Sequence, residues 1–147
     1  MRFYKGEHRS GFETTVRNFL ESNMVVFAYE PYRYLYYSSS RGSLCGVCGS
    51  NDVVKARWYT PDFVIGSEEI FLEAKGRLTG SNRSSMLAML DTCDSINRNN
   101  FRLLLQQDNT YGKVGKRYSD WCESNGIIYA ISRIGEVPKE WVKEIKI

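Results

Sequence analysis

The sequence has 147 residues, of which 42% are apolar and 14% aromatic, and a formal net charge of +3. That is enough chain to bury a real core as one domain, and too much apolar and aromatic content for wholesale disorder. Apolar runs of only a few residues and an N-terminus without an apolar core argue against a membrane span and a secretory signal, so a cytoplasmic protein is expected, with its four cysteines as thiols or metal ligands rather than disulfides.

In chain order, "RSGFETTVRNFLESN" reads as a first helix, with Phe12, Val16, Phe19 and Leu20 on one stripe. Residues 25–37, "VVFAYEPYRYLYY", read as strand, with Pro31 implying a bulge or an edge. "SSSRGSLCGVCGSND" is a long Gly/Ser-rich excursion. Strands are expected around 57–65 and 70–75, joined by "GSEE", then a helix over roughly 82–97 with Met86, Met89, Leu90 and Cys93 on one face. "FRLLLQQ" is a buried strand by composition, "KRYSDWCESNG" a third helix ending at Gly126, "IIYAIS" a last strand, and "PKEWVKEI" a terminal helical turn opened by Pro138. This order describes an α/β fold with helices flanking a mixed central sheet, in a single domain over 1–147 with a cysteine-bearing insertion at about 38–56.

The charge is unevenly distributed. Residues 42–75 hold three Lys/Arg against five Asp/Glu, a local −2, and residues 76–118 hold seven against three, a local +4. An acidic centre followed by a basic segment suits an enzyme that holds cations and grips a polyanion, although such an imbalance is also ordinary surface variation.

Within the acidic centre, "YTPDFVIGSEEIFLEAKGR" places Asp62 at the start of one strand and Glu73 and Lys75 at the end of the next. A tight antiparallel connection brings those ends together, and alternation points Glu73 and Lys75 to one face while Ala74 points away. Two hard carboxylates there suit magnesium or manganese, and a lysine can orient or deprotonate an attacking water or offset transition-state charge. Any one of these residues alone reads as turn chemistry or a solvated ion pair; the spaced set reads as a site. Glu13 serves equally as the N3 residue of a capping box begun by Ser10 or as a further carboxylate facing the same sheet edge, where a second cation could then bind.

The chain resembles the phage endonuclease I family, Holliday-junction resolvases with the restriction-endonuclease-like PD-(D/E)XK fold. "RSGFE" is similar to the family's glutamate-bearing first helix, "FAYEPY" to its first strand, "YTPDF" and "FLEAKG" to its catalytic hairpin, and "YSDWCESNGIIYA" with "VPKEWVKE" to its C-terminal section. The resemblance implies Glu13, Asp62 and Glu73, with the Ala74 backbone carbonyl, as ligands for one or two Mg²⁺ or Mn²⁺ ions per site, and Lys75 as the catalytic lysine. It implies an intertwined, domain-swapped homodimer that cuts branched DNA on two strands. Glu30 takes a structural reading. Where the family's connection from first strand to catalytic hairpin is short, this chain is expanded to hold "LCGVCG".

Cys45 and Cys48 form a C-x-x-C that resembles half of a zinc ribbon. Two such loops at a dyad would supply four thiolates to a structural zinc; ligands elsewhere in the chain, or two plain thiols, are the alternatives. Cys93 and Cys122 read as buried free cysteines and His8 as a surface residue. Arg77, Arg83, Lys113, Lys116 and Arg117 are candidate DNA contacts, and "YRYLYY" reads as strand packing. Two rival functions stay open: a nuclease of the same fold acting on linear ends or mismatches, and a non-catalytic zinc-containing DNA-binding module.

Overall fold

The computed structural model describes residues 11–41 and 52–142. Helix α1, Gly11–Ser22, turns Phe12, Val16 and Leu20 inward, as apolar residues four apart must when they share one helical stripe. Strands β1 (Phe27–Tyr29), β4 (Phe63–Ile65), β5 (Ile70–Lys75), β6 (Phe101–Leu105) and β9 (Ile128–Ile131) form a mixed sheet in the order β1-β4-β5-β6-β9. The first three strands in that order pair antiparallel, and β5, β6 and β9 pair parallel. Helix α2, Gly80–Thr92, is the crossover from β5 to β6, and α3, Tyr118–Ser124, lies between β6 and β9.

Because β5 and β6 lie inside the sheet, they are largely buried on both faces and mostly apolar, with Glu73 and Lys75 on β5 and Arg102 on β6 as the charged exceptions. On one face Phe12, Val16 and Leu20 of α1 pack with Phe63, Leu72, Ala74 and Leu104, joined by Trp141 and Val142 of α4, Lys139–Val142. On the other, Met86, Met89 and Leu90 of α2 and Trp121 and Cys122 of α3 pack with Phe71, Leu103 and Leu105. A separate hairpin, β2 (Tyr34–Arg41) with β3 (Asp52–Tyr59), leans on this second face through Tyr36. Its Tyr37 N–H donates to Thr92 Oγ1 at the end of α2 (2.8 Å). A last pair, β7 (Thr110–Tyr111) with β8 (Lys116–Arg117), closes the turn ahead of α3. No helix among the described residues is long and apolar enough to cross a membrane.

The expected mixed sheet with flanking helices is present, but several boundaries differ. The strand expected over 25–37 is two strands, broken where Glu30 takes a positive φ of 45° just ahead of Pro31. The strand expected around 57–65 is likewise two, in different sheets, separated at Thr60-Pro61-Asp62. Much of the excursion at 38–56 is hairpin: Ser38–Arg41 pair with Asp52–Lys55. Its Cys45 and Cys48 lie outside the described residues, as do His8 and the proposed cap Ser10. The helix placed over 82–97 starts earlier and stops earlier. Thr79 and Asn82 form its capping box, and Cys93, an extended C-cap, ends it. Lys116 and Arg117, assigned to the third helix, belong to β8, and Arg117 N–H donates instead to Asp120 Oδ2 at the head of α3 (2.8 Å).

Candidate metal and catalytic centre

Register places the site. Phe63 pairs with Leu72, so Asp62, one residue ahead of β4, lies beside Glu73. Asp62 is then tied down twice: its Oδ2 accepts the Ala74 N–H (2.9 Å) and its carbonyl accepts the Glu30 N–H (2.9 Å). Alternation along β5 sends Ala74 into the α1-side core, while Glu73 and Lys75 turn to the opposite face and line a cavity of about 260 Å³ with Glu13, Tyr59 and Asp62.

At and beside this cavity the acids are densely set. Glu13 from α1, Glu30 from the break after β1 and Asp62 from the head of β4 each offer a carboxylate oxygen, all within 4.8 Å of one another. Glu30, Asp62 and Glu73 are only 2%, 6% and 6% exposed, so water does little to separate their charges. Tyr29 Oη lies 3.0 Å from Glu13 Oε2 and 2.7 Å from Glu30 Oε1. Tyr59 Oη donates to Glu73 Oε1 (2.5 Å), and Lys75 Nζ pairs with Glu73 Oε2 (3.2 Å).

Titration follows from this crowding. Burial, then the Glu73 and Glu13 charges, hold the Asp62 carboxyl well above the usual range, against the pull of the Ala74 N–H and Lys75. Burial lowers the Lys75 ammonium, but Glu73, Asp62 and Glu13 outweigh it and leave it raised. Burial and the neighbouring carboxylates push both Tyr59 and Tyr29 up, which keeps each phenol a neutral donor. Several buried carboxylates facing one point repel until a cation joins them, and an all-oxygen donor set fits a hard divalent ion such as Mg²⁺ or Mn²⁺.

The sequence-based candidates Glu13, Asp62, Glu73 and Lys75 therefore meet in one cavity. Glu30 joins them, standing with Glu13 and Asp62, while Glu73 is bonded by Tyr59 and paired with Lys75. Sequence reasoning gave Glu30 a structural reading and did not single out Tyr29 or Tyr59. The available signal was an acid in Tyr-Glu-Pro, where a strand has to break.

The basic candidates separate. Arg77 is exposed and borders a polar cleft of about 570 Å³ with Gln107, Asn109 and Thr110, immediately past Lys75. Lys113 and Lys116 are exposed on the β7–β8 hairpin. Arg117 Nη1 donates to the Asp108 carbonyl (3.0 Å). Arg83 is committed internally: Nη1 donates to the Leu78 carbonyl (2.7 Å), and the guanidinium sits 4.0 Å from the Tyr111 ring centroid.

Buried carboxylates with one lysine, set where the strands of a mixed α/β sheet end, define a candidate hydrolytic centre. Comparison with known proteins gives this class a family. The model of phage endonuclease I matches residues 2–147. Endonuclease I of Escherichia phage T7 is 30% identical over 143 residues, covering 96% of this chain and 82% of that protein. Endodeoxyribonuclease 1 of Enterobacteria phage T3 is 30% identical over 140 residues, covering 94% and 78%. No solved structure matches the chain. The chain belongs to the phage endonuclease I family.

Proposed function

We propose that the protein is a divalent-metal-dependent DNA endonuclease of the host cytoplasm that resolves four-way junctions as a homodimer. The observation that carries this reading is the convergence of Glu13, Glu30 and Asp62 beside the Glu73–Lys75 pair, in a chain of this family. Glu13, Asp62 and Glu73, with the Ala74 carbonyl, are the donor set for Mg²⁺ or Mn²⁺, and Glu30, beside Glu13 and Asp62, joins it. The metal supplies Lewis acidity toward the phosphate oxygens and a more acidic water. Lys75 orients the attacking water or offsets charge on the phosphate. Arg77, exposed at the polar cleft immediately past Lys75, and the exposed Lys113 and Lys116 of the β7–β8 hairpin hold the DNA backbone in this reading. Paired nicking across a junction needs two such sites held at a fixed separation, which a dimer provides.

Cleavage of a four-way junction and of a matched linear duplex, with and without Mg²⁺, tests the reading, together with light scattering. Metal-dependent paired nicks in the junction by a dimeric protein are expected. Equal cutting of both substrates, or a strictly monomeric protein, would replace junction resolution with a nuclease of broader target. Cys45 and Cys48 stay in this proposal as a zinc pair on sequence grounds alone, and metal analysis of protein purified without chelator decides it.

A further inference from the structure

We propose that Tyr59 and Tyr29 are positioning residues whose hydroxyls hold the site's carboxylates in the arrangement that binds the metal; this rests on the metal-dependent reading above. Neither tyrosine is in the donor set, and both place a phenol oxygen among its carboxylates. Glu73 is the clearer case. Its two oxygens are divided between a neutral donor, Tyr59 at Oε1, and a cation, Lys75 at Oε2. Without the hydroxyl, the carboxylate is free to turn both oxygens to Lys75, which spends its charge on that pair and turns it from the cavity. A phenol orients a carboxylate without neutralising it, so the charge remains available to a cation.

Tyr29 works between elements. One hydroxyl proton serves two acceptors, Glu13 Oε2 at 3.0 Å and Glu30 Oε1 at 2.7 Å, so a single oxygen sets the spacing between an acid on α1 and an acid after β1. These acids belong to different elements, and like charges would otherwise drive them apart. The ring is itself fixed: it packs edge-on against Phe63 (5.4 Å between centroids), and the Arg17 guanidinium lies 5.4 Å from its centre. Neither contact needs the hydroxyl, so Tyr29→Phe removes the brace and leaves the packing.

The test is Mn²⁺ affinity of DNA-free protein, read by electron paramagnetic resonance for the wild type, Tyr59→Phe and Tyr29→Phe. The metal concentration for half-maximal cleavage and the melting temperature are measured alongside. Loss of an orienting partner behind a metal ligand costs about 10–100-fold in affinity. Each variant is expected to bind Mn²⁺ at least tenfold more weakly, to need correspondingly more metal for half-maximal cutting, and to recover most of its rate at saturating metal. A variant that melts lower but binds Mn²⁺ as the wild type does would show a purely structural hydroxyl and overturn the proposal. Wild-type protein that binds no Mn²⁺ would instead overturn the metal-dependent reading, and this inference with it.

Discussion

The backbone N–H of Glu30 donates to the backbone carbonyl of Asp62 (2.9 Å), so two acids from distant parts of the chain are joined through main chain before their side chains meet. That bond comes with a left-handed backbone at Glu30 (φ 45°), a conformation that costs a non-glycine residue roughly 1–3 kcal/mol and persists only where its surroundings enforce it. A buried acid with a left-handed backbone, facing two others, is therefore a position at which to test for a part in metal binding.

Replacement separates the strain from the charge. Glu30→Gln keeps the shape and removes the acid, and cleavage is expected to fall by at least ~10-fold with weaker Mn²⁺ binding, the scale of a lost metal partner. Glu30→Gly removes both acid and strain. It is expected to lose cutting to the same degree while giving up less thermal stability than Glu30→Ala. Nicking rates and melting curves on the three variants check this.

Asp62→Asn gives a prediction of opposite sign for stability and activity. The folded-state carboxyl is raised, so between its ordinary value and that raised value the folded protein binds more protons than the unfolded chain, and stability falls as pH rises through that window. Asparagine removes this penalty and still accepts the Ala74 N–H. Metal-free Asp62→Asn should therefore melt higher than the wild type near neutral pH, with a flatter pH dependence. Its cleavage should be down by about 10²-fold or more. A lower melting temperature without metal would contradict the electrostatic account.

How much of this was readable in advance depends on the range of each signal. Asp62, Glu73 and Lys75 were legible because a short hairpin fixes their relation: β4 and β5 pair in the register that the "GSEE" turn permits. Glu13 was legible as a candidate because it borders the α1 stripe. Glu30 took a structural reading, because its place beside Glu13 and Asp62 depends on a break in a stretch whose apolar and aromatic residues otherwise read as continuous strand. Tyr59 sits on a hairpin that belongs to a different sheet from Asp62, and no periodicity predicts which sheet an interrupted strand joins. The helix limits missed at Thr79 and Cys93 are capping effects that an apolar stripe does not mark.

The basic residues should divide by salt dependence. Phosphate contacts release counterions, so the slope of log affinity against log salt drops by about 1 for each contact removed. Arg77→Ala, Lys113→Ala and Lys116→Ala are each expected to show that drop with unchanged melting. Arg83→Ala should leave the slope alone and lower the melting temperature, since its guanidinium is bonded to Leu78 and stacked on Tyr111. Filter binding to a junction across a salt series, in Ca²⁺ to prevent cutting, distinguishes the two behaviours.

Gly135 tests how the distant loop after β9 sets the site. Its φ of +79° already disfavours any other residue, and a Cβ there would lie 2.8 Å from Thr15 Cγ2, 3.1 Å from Val16 N and 3.2 Å from Thr15 C. Thr15 and Val16 belong to α1, the helix that carries Glu13, so the loop and the helix cannot both stay in place. Strained backbone and overpacking together put the cost of Gly135→Ala at about 2–4 kcal/mol, a fall in melting temperature of roughly 5–15 °C for a chain of this size. If α1 is what yields, Glu13 moves with it, and the folded variant should also bind Mn²⁺ more weakly. If the loop yields, stability falls and Mn²⁺ affinity stays. Thr15→Ser removes the nearest clashing atom but neither backbone contact, so Thr15→Ser/Gly135→Ala is expected to recover less than half of the lost stability. Full recovery would show that the side-chain clash alone, and not the approach of loop to helix backbone, makes glycine necessary at this position.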